Sequence, residues 1–371
     1  MHTETLALPT ATPGTQRTLT VQRFGTRGAR PCVYLQASLH ADEIPAMLVA
    51  DKLRRILVEL EAQGRIVGEV ILVPVANPIG LAQSVMGEPV GRFDLADGRN
   101  FNRDYAYLTE AVAERVADRL GADEAANAAA IRAALAEALA ERKPQTATEH
   151  LKHALLGLAV QADYVLDLHC DNEAVMHLYT LTPSAEAFAP LQRLLGAQAV
   201  FLATNSGGDP FDEAGSRPWN ELRERWPDKA IPFGCHSVTV ELRGQADVEH
   251  GVAEADAQAI AGFLVHAGVV TGEPPALPDA LCAPTPLESV EPLTAPVGGV
   301  LVFHRRVGER VEVGEVVADV VNPVDGTVAP IRTESAGLLF ARIATRFVAP
   351  GGRVAKVAGT ALRRTGPLLS A

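Results

Sequence analysis

An H-x-x-E pair, His40 and Glu43, stands in the run Leu35-Gln-Ala-Ser-Leu-His-Ala-Asp-Glu-Ile-Pro-Ala46. A further histidine, His169, lies in Asp167-Leu-His-Cys-Asp171, and a lone acid, Glu241, in Val238-Thr-Val-Glu-Leu-Arg-Gly244. Two imidazoles and one carboxylate leave one position of a tetrahedral ion open to water or substrate. That is the donor set of a catalytic rather than a structural zinc. A carboxylate that is not itself a ligand is the usual proton carrier beside the activated water. An isolated H-x-x-E recurs by chance. Here the order and spacing of all four residues, and their place in the chain, carry the signal.

These residues must be positioned by the elements that precede them. Pro31-Cys-Val-Tyr-Leu-Gln-Ala37 reads as a short buried strand ahead of His40. After it, Ile44, Met47, Leu48, Leu53, Ile56, Leu57 and Leu60 recur mostly at three- and four-residue steps, which is helical spacing. Pro45 suits the first turn of that helix and Gly64 its end. Glu69-Val-Ile-Leu-Val-Pro-Val-Ala76 is a near-continuous apolar run of the kind buried on both faces of a sheet. Further strands are expected at 162–168, 199–203 and 237–242, and helices within 109–160, near 185–195 and over about 250–268. Alternation of this kind predicts an α/β sheet with helices on both faces. All four candidate residues fall at or just past strand ends, where open α/β sheets gather their ligands.

Composition changes after about residue 270. Gly272-Glu-Pro-Pro-Ala-Leu-Pro278 and Ala283-Pro-Thr-Pro-Leu287 read as a linker. The short glycine-punctuated runs beyond it, such as Val297-Gly-Gly-Val-Leu-Val-Phe303, predict a small all-β module. Its pattern loosely resembles a biotinyl- or lipoyl-type sandwich. The turn Asn322-Pro-Val-Asp-Gly326 has no lysine to modify, which argues against a swinging-arm carrier. The expected division is a catalytic domain at 1–275 and an accessory β domain at 276–371.

With 371 residues the chain exceeds the size at which one core stops growing, about 250–300 residues. A net charge of −12 argues against nucleic acid or an anionic membrane as partner, since both require basic surface. The N-terminal run lacks a basic segment followed by an apolar one, and no apolar stretch approaches the roughly 18 residues of a membrane span. Cys32, Cys170, Cys235 and Cys282 lack C-x-x-C spacing and read as free thiols. A cytoplasmic protein is expected.

The four residues together resemble those of the succinylglutamate desuccinylase/aspartoacylase family, a branch of the zinc carboxypeptidase superfamily. The resemblance spans roughly residues 30–245, and the β module matches the family's usual C-terminal extension. It implies a zinc-carboxypeptidase-like mixed sheet with helices on both faces. It implies one Zn2+ per chain on His40, Glu43 and His169, with Glu241 as general acid/base. By the same resemblance, Asn102 and Arg103 in Gly98-Arg-Asn-Phe-Asn-Arg103 hold a substrate carboxylate, and Arg92 in Gly91-Arg-Phe-Asp94 stabilises the oxyanion. Relatives commonly carry an acid two places before the motif asparagine, facing a zinc-ligating histidine; this chain has Asn100 there. Arg99 is a rival for the role of Arg92, and Asp167 is either a carboxylate behind His169 or a strand cap.

The substrate implied is a small N-acylated amino acid, hydrolysed to a carboxylate and a free amine. A metallocarboxypeptidase acting on short peptides would use the same residues, and a non-catalytic binding protein would share the fold. A third reading gives the β module a part in self-association, leaving a homo-oligomer open. Residues 84–98 and 204–235 are expected to line the pocket. Packing is the expected role of Cys170, and burial that of His177 and Tyr179. Arg243 is read equally as a substrate contact or a salt bridge, and Asp171 equally as a site residue or a turn cap.

Overall fold

A computed structural model describes residues 1–9, 12–366 and 368 of the chain. The strands of its N-terminal part are β1 (His2–Leu8), β2 (Arg17–Gly25), β3 (Cys32–Ala37), β4 (Glu69–Val73), a hairpin β5 (Ser84–Val85) and β6 (Glu88–Pro89), β7 (Tyr164–Asp171), β8 (Glu173–Ala174), β9 (His177–Leu181), β10 (Ala199–Ala203), β11 (His236–Gly244) and β12 (Thr285–Pro286). The helices are α1 (Pro45–Ala62), α2 (Pro78–Leu81), α3 (Thr109–Val116), α4 (Glu124–Ala140), α5 (Ala147–Ala159), α6 (Ala189–Leu195), α7 (Phe211–Arg225) and α8 (His250–His266). The largest sheet has nine strands in the order β1-β2-β4-β3-β7-β11-β9-β10-β12. Its centre, β4-β3-β7-β11, is parallel, while β2 on one side and β9 on the other run antiparallel to it. The fold is therefore a mixed α/β sheet, as expected.

Strand alternation assigns side chains to two cores. Tyr34, Ile71 and Val165 join residues of α3, α4, α5 and α7 on one face. Val33, Leu35, Val70, Leu72, Leu166, Leu168, Val238 and Val240 join α1, α6 and α8 on the other. Burial on both faces is why these strands read as unbroken apolar runs. Helix α1 begins at Pro45, and Gly64 beyond its end has φ +67°, the left-handed position that favours glycine.

The C-terminal part contains β13 (Val290–Thr294), β14 (Gly299–Phe303), β15 (Arg310–Val311), β16 (Val316–Val321), β17 (Val328–Arg332), β18 (Gly337–Arg342), β19 (Phe347–Val348) and β20 (Arg353–Ala358). They form two antiparallel sheets, β13-β20-β18-β15 and β17-β16-β14-β19, around one core that includes Leu293, Leu301, Val317, Ile331, Leu339 and Val357. Two strand pairings link the N- and C-terminal parts. Strand β12 pairs in parallel with β10, and β8 adds to the edge of β18. No described helix is long and apolar enough to cross a membrane.

Candidate metal centre

The chain leaves β3 through Ser38, a buried residue with φ +57°. A left-handed conformation is costly for a residue with a Cβ and persists only where its surroundings hold it. Here the Ser38 N–H donates to the Leu168 carbonyl at 3.1 Å and its hydroxyl to the Glu43 carbonyl at 2.7 Å. The bend delivers His40 and Glu43 to the carboxyl end of the sheet just before α1 starts. Neighbouring β7 delivers His169, and Glu241 on β11 is paired in parallel register with His169.

His40 Nδ1 lies 3.0 Å from one Glu43 oxygen, and His169 Nδ1 lies 2.8 Å from the other. One nitrogen of each histidine and a Glu43 oxygen all fall within 4.8 Å of one another. The three side chains are buried. Each remaining ring nitrogen has an orienting partner: His40 Nε2 is 2.9 Å from Asn100 Oδ1, and His169 Nε2 is 2.9 Å from Asp167 Oδ2. Such contacts fix tautomer and ring orientation behind a metal. Asp167 thus faces His169, and its other oxygen accepts from Gln36 Nε2 at 2.8 Å. The donor set fits a divalent ion of the zinc class, with the Nδ1 atoms directed inward.

Electrostatics follow from this arrangement. Burial raises the Glu43 carboxyl, but the two histidines outweigh it and hold the pKa below the ordinary carboxylate value. Burial lowers the His40 pKa, with Arg92 adding to the effect. Burial also acts to lower His169, yet Asp167 and Glu43 overcome it and set its pKa well above the usual value. Glu241 is pushed up to about 8, first by burial and then by the Glu43 charge. Its Oε2 is buried and has no hydrogen-bond partner among the described residues. An acid kept free of protein donors beside a candidate metal triad is available to exchange a proton with water.

Arg92 Nη1 lies 3.2 Å from His40 Nδ1 and 3.6 Å from Glu43 Oε1, so its guanidinium borders the triad. Gly91 permits this approach, because a Cβ there would stand 2.3 Å from the Asp42 backbone nitrogen. Arg99 points elsewhere and binds Glu149 at 2.6 Å. Asn102 Oδ1 accepts the Phe211 N–H at 2.8 Å, and its amide NH2, 3.5 Å from His169 Nε2, is the donor end turned towards the site. Arg103 lines the same pocket and donates to the Asn102 carbonyl at 2.6 Å.

The pocket encloses about 360 Å³ and contains all seven residues singled out in the sequence. Of the expected lining segments, 84–98 contributes Arg92 and 204–235 contributes Ser206, Pro210, Asp212 and Glu213. Sequence reasoning missed Asp212, whose carboxyl is raised to about 7 by burial and then by Glu213. It also missed Ile343, Arg353 and Lys356, which reach the pocket from the C-terminal sheets. Lys356 binds one Asp171 oxygen at 2.5 Å and the other accepts the Asn172 N–H at 2.8 Å, so Asp171 is an ion-pair partner on the pocket wall that also holds the turn after β7. Tyr179 lines the pocket, whereas His177 is buried with Nδ1 2.8 Å from the Val175 carbonyl. Arg243 is paired with buried Asp256. The Cys170 N–H donates to Glu43 Oε2 at 3.1 Å, and burial keeps its thiol protonated.

Replacing Asn100 by Asp is expected to tighten metal binding by about tenfold, because a carboxylate behind His40 raises the basicity of that ligand. Competition with a coloured chelator measures it. Unchanged affinity would show that Asn100 does not tune the ligand.

The succinylglutamate desuccinylase/aspartoacylase catalytic-domain model matches residues 29–267. The solved structure of a protein assigned to that family, from Shewanella amazonensis SB2B, is 27% identical, with a TM-score of 0.85 over 96% of this chain and 98% of its own. A second such protein, from Shewanella frigidimarina NCIMB 400, is 24% identical, with a TM-score of 0.86 over 96% of this chain and 97% of its own. The product-bound ectoine utilization protein of Ruegeria pomeroyi shares the fold at 19% identity and a TM-score of 0.69, over 96% of this chain and 95% of its own. No curated protein matches.

Proposed function

Since the chain belongs to the succinylglutamate desuccinylase/aspartoacylase family, whose members are deacylating hydrolases, we propose that it is a zinc-dependent hydrolase of the amide bond in a small N-acyl amino acid. One observation carries the reading: inward nitrogens of His40 and His169 and the Glu43 carboxylate converge within 4.8 Å, with the unpartnered Glu241 carboxylate lining the same pocket.

His40, Glu43 and His169 hold the ion. When bound, zinc supplies Lewis acidity towards the acyl carbonyl and brings the pKa of water from 15.7 towards ~7. Glu241 takes a proton from the attacking water at its free carboxylate oxygen and passes it to the leaving nitrogen. Arg92 faces the developing oxyanion, where one preorganised donor contributes about 3 kcal/mol. Arg103 and the Asn102 amide NH2 hold a substrate carboxylate, a task suited to the planar guanidinium fork. Arg353 adds positive charge to the pocket lining, where Lys356 is balanced by Asp171, and this favours an anionic substrate. Residues 1–275 supply the metal, proton and carboxylate groups, while 276–371 narrow the pocket as an accessory β domain. The free cysteines suit a cytoplasmic location.

A panel of N-acetyl and N-succinyl amino acids against metal-loaded protein tests the substrate class. Release of free amino acid from some members, with dipeptides left intact, is the expected result. Cleavage of dipeptides alone would transfer the assignment to a carboxypeptidase. Silence towards both would favour a binding protein.

A further inference from the structure

A second cavity, of about 300 Å³, lies behind the segment that carries Asn100, Asn102 and Arg103, against α5 and the turn that joins it to α4. Lys152 forms part of its wall and is only 7% exposed. Its ammonium donates to the carbonyls of Asn100 at 3.0 Å and Arg103 at 2.7 Å. No described carboxylate lies within ion-pair distance of it. Lysine is rarely this buried without a counter-charge, because moving an ammonium out of water is costly. The Tyr105 ring, also on the wall, lies 5.6 Å from the ammonium and gives it a cation–π contact but no acceptor atom, so of its three donors the two carbonyls use two.

Arg142 and Lys143 line the same cavity, and neither forms an ion pair among the described residues. Arg99 and Glu149, also on the wall, neutralise each other at 2.6 Å. Asp104 is then the one acid set against three cations. This local excess is the reverse of the chain's net charge of −12, so composition does not account for it. Leu139 and Leu156 give the cavity an apolar side.

We propose that this cavity is a second ligand site, distinct from the metal pocket, that takes a small organic carboxylate. The carboxylate accepts from the third Lys152 donor and pairs with Arg142 and Lys143, while the alkyl part rests on Leu139 and Leu156. An occupant is joined through Lys152 to the backbone of Asn100 and Arg103. The inference does not depend on the proposed reaction.

Ligand-observed NMR titration of the full-length, metal-loaded protein with butyrate and with inorganic phosphate tests it. Butyrate is expected to bind, and to bind more tightly than phosphate. In the double variant Arg142→Glu/Lys143→Glu its affinity falls at least about tenfold, with hydrolysis unchanged because neither residue touches the metal pocket. Lys152→Met gives the same loss of binding, checked against an unaltered circular dichroism spectrum. Butyrate affinity that survives the double variant overturns the site, as does the absence of butyrate binding. Tighter binding of phosphate overturns the carboxylate class.

Discussion

Glu241→Gln is expected to lower kcat by roughly 10²- to 10⁴-fold, the usual contribution of a positioned proton carrier, while the metal content stays at the wild-type level. Glutamine keeps the shape and burial of the side chain but cannot accept the proton of the attacking water. The same variant has an opposite effect on stability in metal-free protein. The Glu241 pKa is about 8 in the folded chain, raised by burial and then by Glu43, against about 4.3 for an unperturbed Glu. Between those values the unfolded chain loses its proton and the folded chain keeps it, so native stability falls as pH rises. Glutamine never ionises and escapes that loss. Metal-free Glu241→Gln should therefore melt at a higher temperature than wild type at pH 8 and above, with the difference vanishing at pH 4. A metal-loaded variant that hydrolyses at the wild-type rate would remove Glu241 from the mechanism. An equal Tm at high pH would show that its carboxyl is not raised.

The candidate metal triad was legible in the sequence because His40, with Glu43 three residues on, and His169 sit at the ends of apolar runs. A parallel strand buried on both faces announces itself by such a run, and its carboxyl end follows from chain direction. The adjacency of Glu241 and His169 was not written in either run. It comes from the register of β11 on β7, a pairing of residues 72 positions apart. The choice between Arg92 and Arg99 is also spatial. Both lie in one irregular segment with no period to orient them, and the Glu149 contact turns Arg99 away. Lys356 and Arg353 were invisible for a related reason. They sit on a strand of the C-terminal sheets that local patterning marks only as β, and those sheets are held there by β8, which follows β7 in the chain and pairs with β18. The linker composition near residue 275 gave no sign that Thr285–Pro286 returns to the nine-stranded sheet.

Chelation of the metal is expected to lower hydrolysis at least about 10³-fold, since several kcal/mol of charge stabilisation leave with the ion, and His169→Ala should do the same irreversibly. Rebinding carries a proton signature that the geometry specifies. His40 has a lowered pKa, and its Nε2 faces the Asn100 carbonyl oxygen, so the neutral ring already presents a lone pair at Nδ1. His169 differs, because Glu43 lies at its Nδ1 and Asp167 at its Nε2, and the two carboxylates keep it protonated well above the usual histidine range. A ligand nitrogen must shed its proton first. Uptake of the ion should thus release at least one proton per chain at neutral pH, that of His169, with the raised Glu241 carboxyl free to add a second, and affinity should rise at least about tenfold per pH unit until His169 is itself deprotonated. Calorimetry in two buffers of different ionisation enthalpy counts that proton. Asp167→Asn removes one of the two carboxylates that hold it, and should reduce both the proton release and the pH slope. Binding of zinc without proton release in the wild-type chain would mean that His169 Nδ1 is not among the ligands.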